Sequence, residues 1–122
     1  MIRTYGLTHI ALAVRDVERS SRFYQQVFGA VETCHKEDFI QIETPGHHDV
    51  IVFQTGTEDE IGKVGGIQHF GLRLVDPADI DAAVRAVEEA GGTIRGRGEF
   101  APGVPYLYAS DPDGYEIEIW YE

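Results

Sequence analysis

Residues 8–14 read THIALAV and residues 68–74 read QHFGLRL. In the first run Ile10, Leu12 and Val14 alternate with His9, Ala11 and Ala13, which predicts a strand with one apolar face. Asp16 then has the chemistry of a helix N-cap, with Glu18 in the first turn. Val17, Tyr24, Val27 and Phe28 recur at helical spacing, and Gly29 is the stop. Three short strands follow, Val31 to Lys36, Phe39 to Glu43 and Val50 to Gln54, the last two joined by the turn TPGHHD. Residues 55–65 (TGTEDEIGKVG) are polar and glycine-bearing, and read as a link between halves.

The second half repeats the order. Gln68 to Leu74 reads as a strand, and Asp76-Pro77 as a cap with proline at the first helical position. Ile80, Ala83, Val84, Val87 and Ala90 form the helical stripe, and Gly91-Gly92 ends it. Strands are predicted over Thr93 to Arg97, Pro105 to Ser110 and Tyr115 to Tyr121, the last two joined by a DPDG turn. Arg95 and Arg97, beside Gly96 and Gly98, fall at a strand end or in a loop. The prediction is an α+β domain over residues 1–122, built of two tandem βαβββ modules, 1–57 and 66–122.

The repeat extends to individual residues. His9 matches His69, Val14 matches Leu74 and Asp16 matches Asp76, each sixty positions apart. The final strands match at an offset near sixty-six, which sets Val52 on Glu118. A one-residue slip there would exchange the two faces. With Phe70, Leu72 and Leu74 packed on a helix, His69, Gly71 and Arg73 face the other way. Ile117 and Ile119 likewise face the helix, leaving Glu116, Glu118 and Trp120 on the opposite, mixed face. Such a face is where a small ligand binds.

Charge narrows the partners. Ten Lys and Arg stand against twenty-one Asp and Glu, a formal net charge of −11. Nucleic acid and anionic membranes both demand positive charge and are not expected as partners. No apolar run approaches the length of a membrane span, and the amino terminus lacks a basic-then-apolar signal pattern. Cys34 is the only cysteine, so no internal disulfide forms, and a cytoplasmic setting is expected. A catalytic thiol is not expected from it either, since His35 and Lys36 are its only basic neighbours in sequence.

Two readings of the histidines stand on these residues alone. Two imidazoles and one carboxylate (His9, His69 and Glu118) are a set that holds a divalent metal with open positions. Alternatively each histidine is a satisfied strand residue and Glu118 is solvated.

The stretches THIALAVRDVERSSRFYQQVFGA, HFGLRL, EEAGGTI and above all ASDPDGYEIEIW resemble the vicinal oxygen chelate superfamily. That superfamily contains glyoxalase I, extradiol dioxygenases, fosfomycin-resistance enzymes and bleomycin-resistance proteins. The resemblance implies paired βαβββ modules forming a half-closed cleft around one divalent metal ion (Fe, Mn, Ni, Co or Zn). It assigns the ligands to His9, His69 and Glu118, not Glu116. It also implies a homodimer, with the metal site within one chain or across two. The fourth ligand of glyoxalase I falls on Val52, which cannot bind metal; Gln54 is nearby on the same face. Three ligands favour dioxygenase-like over glyoxalase I chemistry. Tyr108, ten residues before Glu118, matches a tyrosine that contacts ring hydroxyls in extradiol dioxygenases. The base histidine of those enzymes has no clear match, since His47 and His48 lie in a turn somewhat too early.

Other candidates are Arg73, for a substrate carboxylate or an ion pair with Glu116, Gln54 as a further substrate contact, and Trp120 and Phe53 as cleft walls or, equally, as part of a dimer core. The expected function is a metal-dependent enzyme, glyoxalase- or dioxygenase-like, whose small-molecule substrate chelates the metal through vicinal oxygens. The alternative is a non-catalytic drug- or metabolite-binding protein of the bleomycin-resistance type.

Overall fold

In the computed structural model, which describes residues 1–122, the elements follow the duplicated order. Unit Met1–Ile61 carries β1 (His9–Val14), α1 (Val17–Phe28), β2 (Val31–Lys36), β3 (Phe39–Glu43) and β4 (Val50–Thr55). Unit Gly62–Glu122 carries β5 (Phe70–Arg73), a short 3-10 turn (Pro77–Asp79), α2 (Ile80–Glu89), β6 (Thr93–Ala101), β7 (Val104–Ser110) and β8 (Glu116–Trp120). Each unit is one helix on a four-stranded mixed sheet, with strand orders β1-β4-β3-β2 and β5-β8-β7-β6. The first strand of each sheet runs parallel to the last, and the other pairings are antiparallel. No helix is long and apolar enough to cross a membrane.

The helix signals act as the residue chemistry predicts. The Asp16 side chain accepts from the amides of Glu18 and Arg19 at 3.0 and 3.1 Å, satisfying two of the helix's free N–H groups. Gly29 ends α1 in the left-handed conformation at φ 67°. Asp76 accepts from the Ala78 amide at 2.9 Å, with Pro77 at the start of the 3-10 turn. The buried side of α1 differs from the simple apolar stripe. It runs through Val17, Ser20, Ser21, Phe23 and Tyr24, while Val27 and Phe28 are only half-buried. Ser21 is tolerated there because its hydroxyl donates to Glu32 at 2.8 Å.

Alternation decides what each sheet buries. Leu12, Val14, Ile40, Ile42 and Phe53 form the first core beneath α1, and Leu107, Ala109, Ile117 and Ile119 form the second beneath α2. Val52 pairs with Ala11, and Glu118 pairs with Gly71. Ala11 and Gly71 are themselves sixty positions apart, so Val52 and Glu118 are structural equivalents without a slip.

Strand β6 is longer than its sequence suggests. Arg95 and Arg97 lie inside it, not at its end or in a loop. Of the two glycines beside them, only Gly98 makes room for a ring. Gly96 pairs with Tyr108 and Gly98 with Tyr106, and a Cβ on Gly98 would lie 2.8 Å from the Tyr106 hydroxyl and 3.0 Å from its Cζ. Strand β8 is shorter than predicted by one residue at each end; at its start the Tyr115 carbonyl accepts the Asp111 amide and belongs to the turn.

That turn, Asp111-Pro112-Asp113-Gly114, is tightly built. Asp111 is 4% exposed, and its Oδ1 accepts from the amides of Asp113 (2.9 Å) and Tyr115 (3.0 Å). Gly114 sits at φ 94°, a conformation that side-chain-bearing residues rarely adopt. Asp111→Ala is expected to lower the unfolding free energy by about 1–3 kcal/mol, since two enclosed amides lose their acceptor. Urea denaturation checks this, and a midpoint equal to wild type would show that the turn holds without it.

Candidate functional site

The open face of the second sheet gathers most of the chemistry. Its alternation brings His69, Gly71 and Arg73 beside Glu116, Glu118 and Trp120, with Tyr106, Tyr108 and Ser110 beyond them. The ladder places Tyr108 directly opposite Glu118 and Tyr106 opposite Trp120. His69 lies one residue before β5 and points its Nε2 at Glu118 Oε2, 3.1 Å away. The other oxygen, Oε1, accepts from the Tyr108 hydroxyl at 3.1 Å. The His69 and Tyr108 rings meet edge to face, with centroids 5.3 Å apart. Glu118 is thus oriented through both oxygens, and its side chain is only 14% exposed.

Partial desolvation pushes the Tyr108 phenol above the usual tyrosine range, and the hydrogen bond to the Glu118 carboxylate raises it further. The phenol therefore remains a donor at neutral pH, and the carboxylate is its acceptor.

A row of rings borders this group. Tyr106 meets Tyr108 at 5.5 Å, Phe100 stacks on Tyr106 at 4.3 Å, and Phe100 meets Trp120 edge-on at 6.5 Å. Residue pattern alone missed Phe100. The signal was there in Tyr106 and Tyr108 alternating opposite Gly98 and Gly96.

The other candidates lie in different surroundings. His9 is exposed at the start of β1, with Nδ1 3.1 Å from the Thr8 hydroxyl. Gln54 is exposed near the end of β4. Neither unit by itself holds three or more His, Cys, Asp or Glu side chains grouped to bind a metal ion. Phe53 does not line an open face: it is 0% exposed, with its ring 5.2 Å from that of Tyr24 in the core. It falls on the helix side because it is one residue out of phase with Val52 and Gln54. Arg73 pairs with Glu122 at 3.4 Å, not with Glu116, and both side chains are largely exposed. Arg95 donates from Nε to Ser110 at 2.6 Å, and Arg97 pairs with Asp81 at 2.7 Å. His47 and His48 are exposed in a turn that Thr44 and Asp49 close with two hydrogen bonds.

The family model described as the glyoxalase/bleomycin resistance protein/dioxygenase superfamily matches residues 6–119. Catechol-2,3-dioxygenase of Bacillus subtilis (strain 168) is 29% identical over 119 residues, which cover 93% of this chain and 41% of that protein. The chain thus spans less than half the length of this relative. A trivalent organoarsenical cleaving enzyme of Bacillus sp. (strain MD1) is 28% identical over 93% of this chain and 71% of its own. Among solved structures, the fosfomycin resistance protein FosX of Mesorhizobium loti superposes with a TM-score of 0.79 at 22% identity, covering 98% of this chain and 94% of that one. At that identity the likeness is one of fold.

The Tyr108–Glu118 contact is open to direct measurement. In an alkaline ultraviolet titration of metal-free protein, the signal lost in Tyr108→Phe is expected to be one that ionises above an ordinary tyrosine. Glu118→Gln is expected to bring that ionisation down, because the acceptor loses its charge. A Tyr108 signal at the ordinary tyrosine position in wild type would show that the contact is not made in solution.

Proposed function

The chain belongs to the glyoxalase/bleomycin resistance protein/dioxygenase superfamily, and from that premise we propose that it is a metal-dependent enzyme. Its substrate is a small molecule that chelates through two adjacent oxygens. The observation that carries this reading is the His69–Glu118 pair. A nitrogen and an oxygen each about 2.1 Å from one ion, at right angles, lie about 3 Å apart. The His69 Nε2 to Glu118 Oε2 distance of 3.1 Å fits that requirement. His69 and Glu118 are the ligands we propose in the second unit. His9 is proposed as the third because it is the repeat equivalent of His69.

When bound, a divalent ion such as Fe, Mn, Ni, Co or Zn supplies Lewis acidity that stabilises negative charge developing on the substrate's oxygens. The chain's own groups do the rest. Tyr108 holds Glu118 Oε1 and so keeps Oε2 turned toward His69. Its single proton is given to Glu118, so its phenol oxygen is the proposed acceptor for a substrate hydroxyl beside Glu118. The rings of Tyr106 and Phe100 shelter one side of the group from water. Val52, at the position equivalent to Glu118, offers no fourth ligand, and this favours dioxygenase-like over glyoxalase I chemistry.

Metal content of protein purified anaerobically, without tag or chelator, tests the proposal. Wild type is expected to carry about one transition metal per chain. His69→Ala and Glu118→Gln are expected to weaken binding by about 100-fold or more, since losing a ligand costs more than the roughly 10–100-fold lost with a group that only orients one. Glu116→Gln is expected to retain the metal. A wild-type protein that holds no metal and cannot be loaded would overturn the reading in favour of ligand binding without turnover. Iron or manganese would direct substrate trials toward oxygen chemistry, nickel or zinc toward lyase and isomerase chemistry.

A further inference from the structure

Trp120 is the only tryptophan of the chain, two residues after Glu118 on the open face of β8. Register aligns its backbone with Arg73 on one side and Tyr106 on the other. Its indole leaves that row. A Cβ placed on Gly71 would lie 3.5 Å from Trp120 Nε1 and 3.7 Å from its Cδ1. The N–H edge of the indole therefore lies over Gly71 of β5, at ordinary contact distance from where a Cβ would stand. Gly71 is the ladder partner of Glu118, and His69 precedes it by two residues on the same face. This brings the indole N–H into the patch that holds His69 and Glu118.

Two features make that placement specific. Phe100 meets the indole edge-on at 6.5 Å and is itself stacked on Tyr106, so the ring is held from the side away from Gly71. No acceptor of the protein takes the Trp120 N–H. The nearest carboxylate in the row, Glu118, has both oxygens turned to other partners, Oε2 to His69 and Oε1 to Tyr108. A half-exposed indole N–H can only donate, so the group it pairs with must accept.

We propose that the Trp120 N–H recognises an acceptor oxygen of the substrate bound beside His69 and Glu118. The ligand class is an oxygen-rich acid or acyl compound with an oxygen free to accept once two others have chelated. Trp120 sets specificity in this scheme and does not bind the metal. The inference rests on the metal reading above.

Oxalate is a suitable probe, since two of its four oxygens remain free when two chelate. Co(II) loading is followed by its visible spectrum, and oxalate affinity by calorimetry, in wild type, Trp120→Phe and Gly71→Ala. All three are expected to load Co(II) alike. Trp120→Phe keeps an aromatic ring but lacks the N–H, and is expected to bind oxalate about tenfold more weakly, as for one lost hydrogen bond to a charged acceptor. Gly71→Ala would place a Cβ at ordinary contact distance from the indole, 3.5 Å from Nε1, and as a control is expected to keep oxalate affinity and tryptophan emission near wild type. Equal oxalate affinity in wild type and Trp120→Phe, with Co(II) loaded in both, would overturn the inference and leave the metal reading standing. Failure of wild type to load Co(II) would overturn both.

Discussion

Everything distinctive about the second unit depends on how the chain turns between β7 and β8. The Asp111 carboxylate gathers the amides of Asp113 and Tyr115, and Gly114 supplies the positive φ that closes the turn. A turn of different length or geometry would shift the antiparallel register by at least one residue, and with it every side chain on β8. The observed register sets Tyr108 opposite Glu118 and leaves Ile117 and Ile119 under α2. The parallel pairing with β5 then sets Gly71 against Glu118, which brings His69 within reach. One enclosed carboxylate in a turn thus governs the placement of another on the open face.

The site itself shows a consistent use of small residues to position large ones. Gly98 clears space for the ring of Tyr106, and the indole of Trp120 lies over Gly71. Glycine weakens a strand in isolation, through backbone entropy and lost packing. Here the neighbouring rings cover the bare backbone, and their edge-to-face contacts hold one another in place. A strand that looks poor by composition is therefore the one that fixes the aromatic border of the site.

The two units share a plan and differ in chemistry. Both pair a first strand, with a histidine at its start (His9) or just before it (His69), with a final strand running parallel to it. In the second unit the position opposite the small strand residue is Glu118, and in the first it is Val52. The Tyr108 position, next outward from Glu118, is taken in the first unit by Gln41, which bonds to Thr33 at 3.1 Å. The first sheet thus offers His9 alone among the residues proposed to hold metal. The second offers a carboxylate already oriented by a phenol and an imidazole.

Most of the fold was legible in the residues. Asp16, Gly29, Asp76 and the DPDG turn are local signals whose hydrogen bonds span only a few positions, so short-range chemistry determines them. The alternation of Ile117 and Ile119 with Glu116, Glu118 and Trp120 determined which residues of β8 face outward, because side chains on a strand change sides at every residue. The same alternation places Phe53 in the core, out of phase with Gln54, and its aromatic character pointed the other way. What only the tertiary structure decided lies across strands. The length of β6 follows its antiparallel pairing with β7, which runs from Thr93 opposite Ser110 to Ala101 opposite Val104. The choice of Glu122 over Glu116 by Arg73, and the reach of Trp120 over Gly71, depend on side-chain directions between neighbouring strands. Periodicity determines the face on which a residue lies. Which neighbour it touches there is decided by the packing of residues distant in sequence.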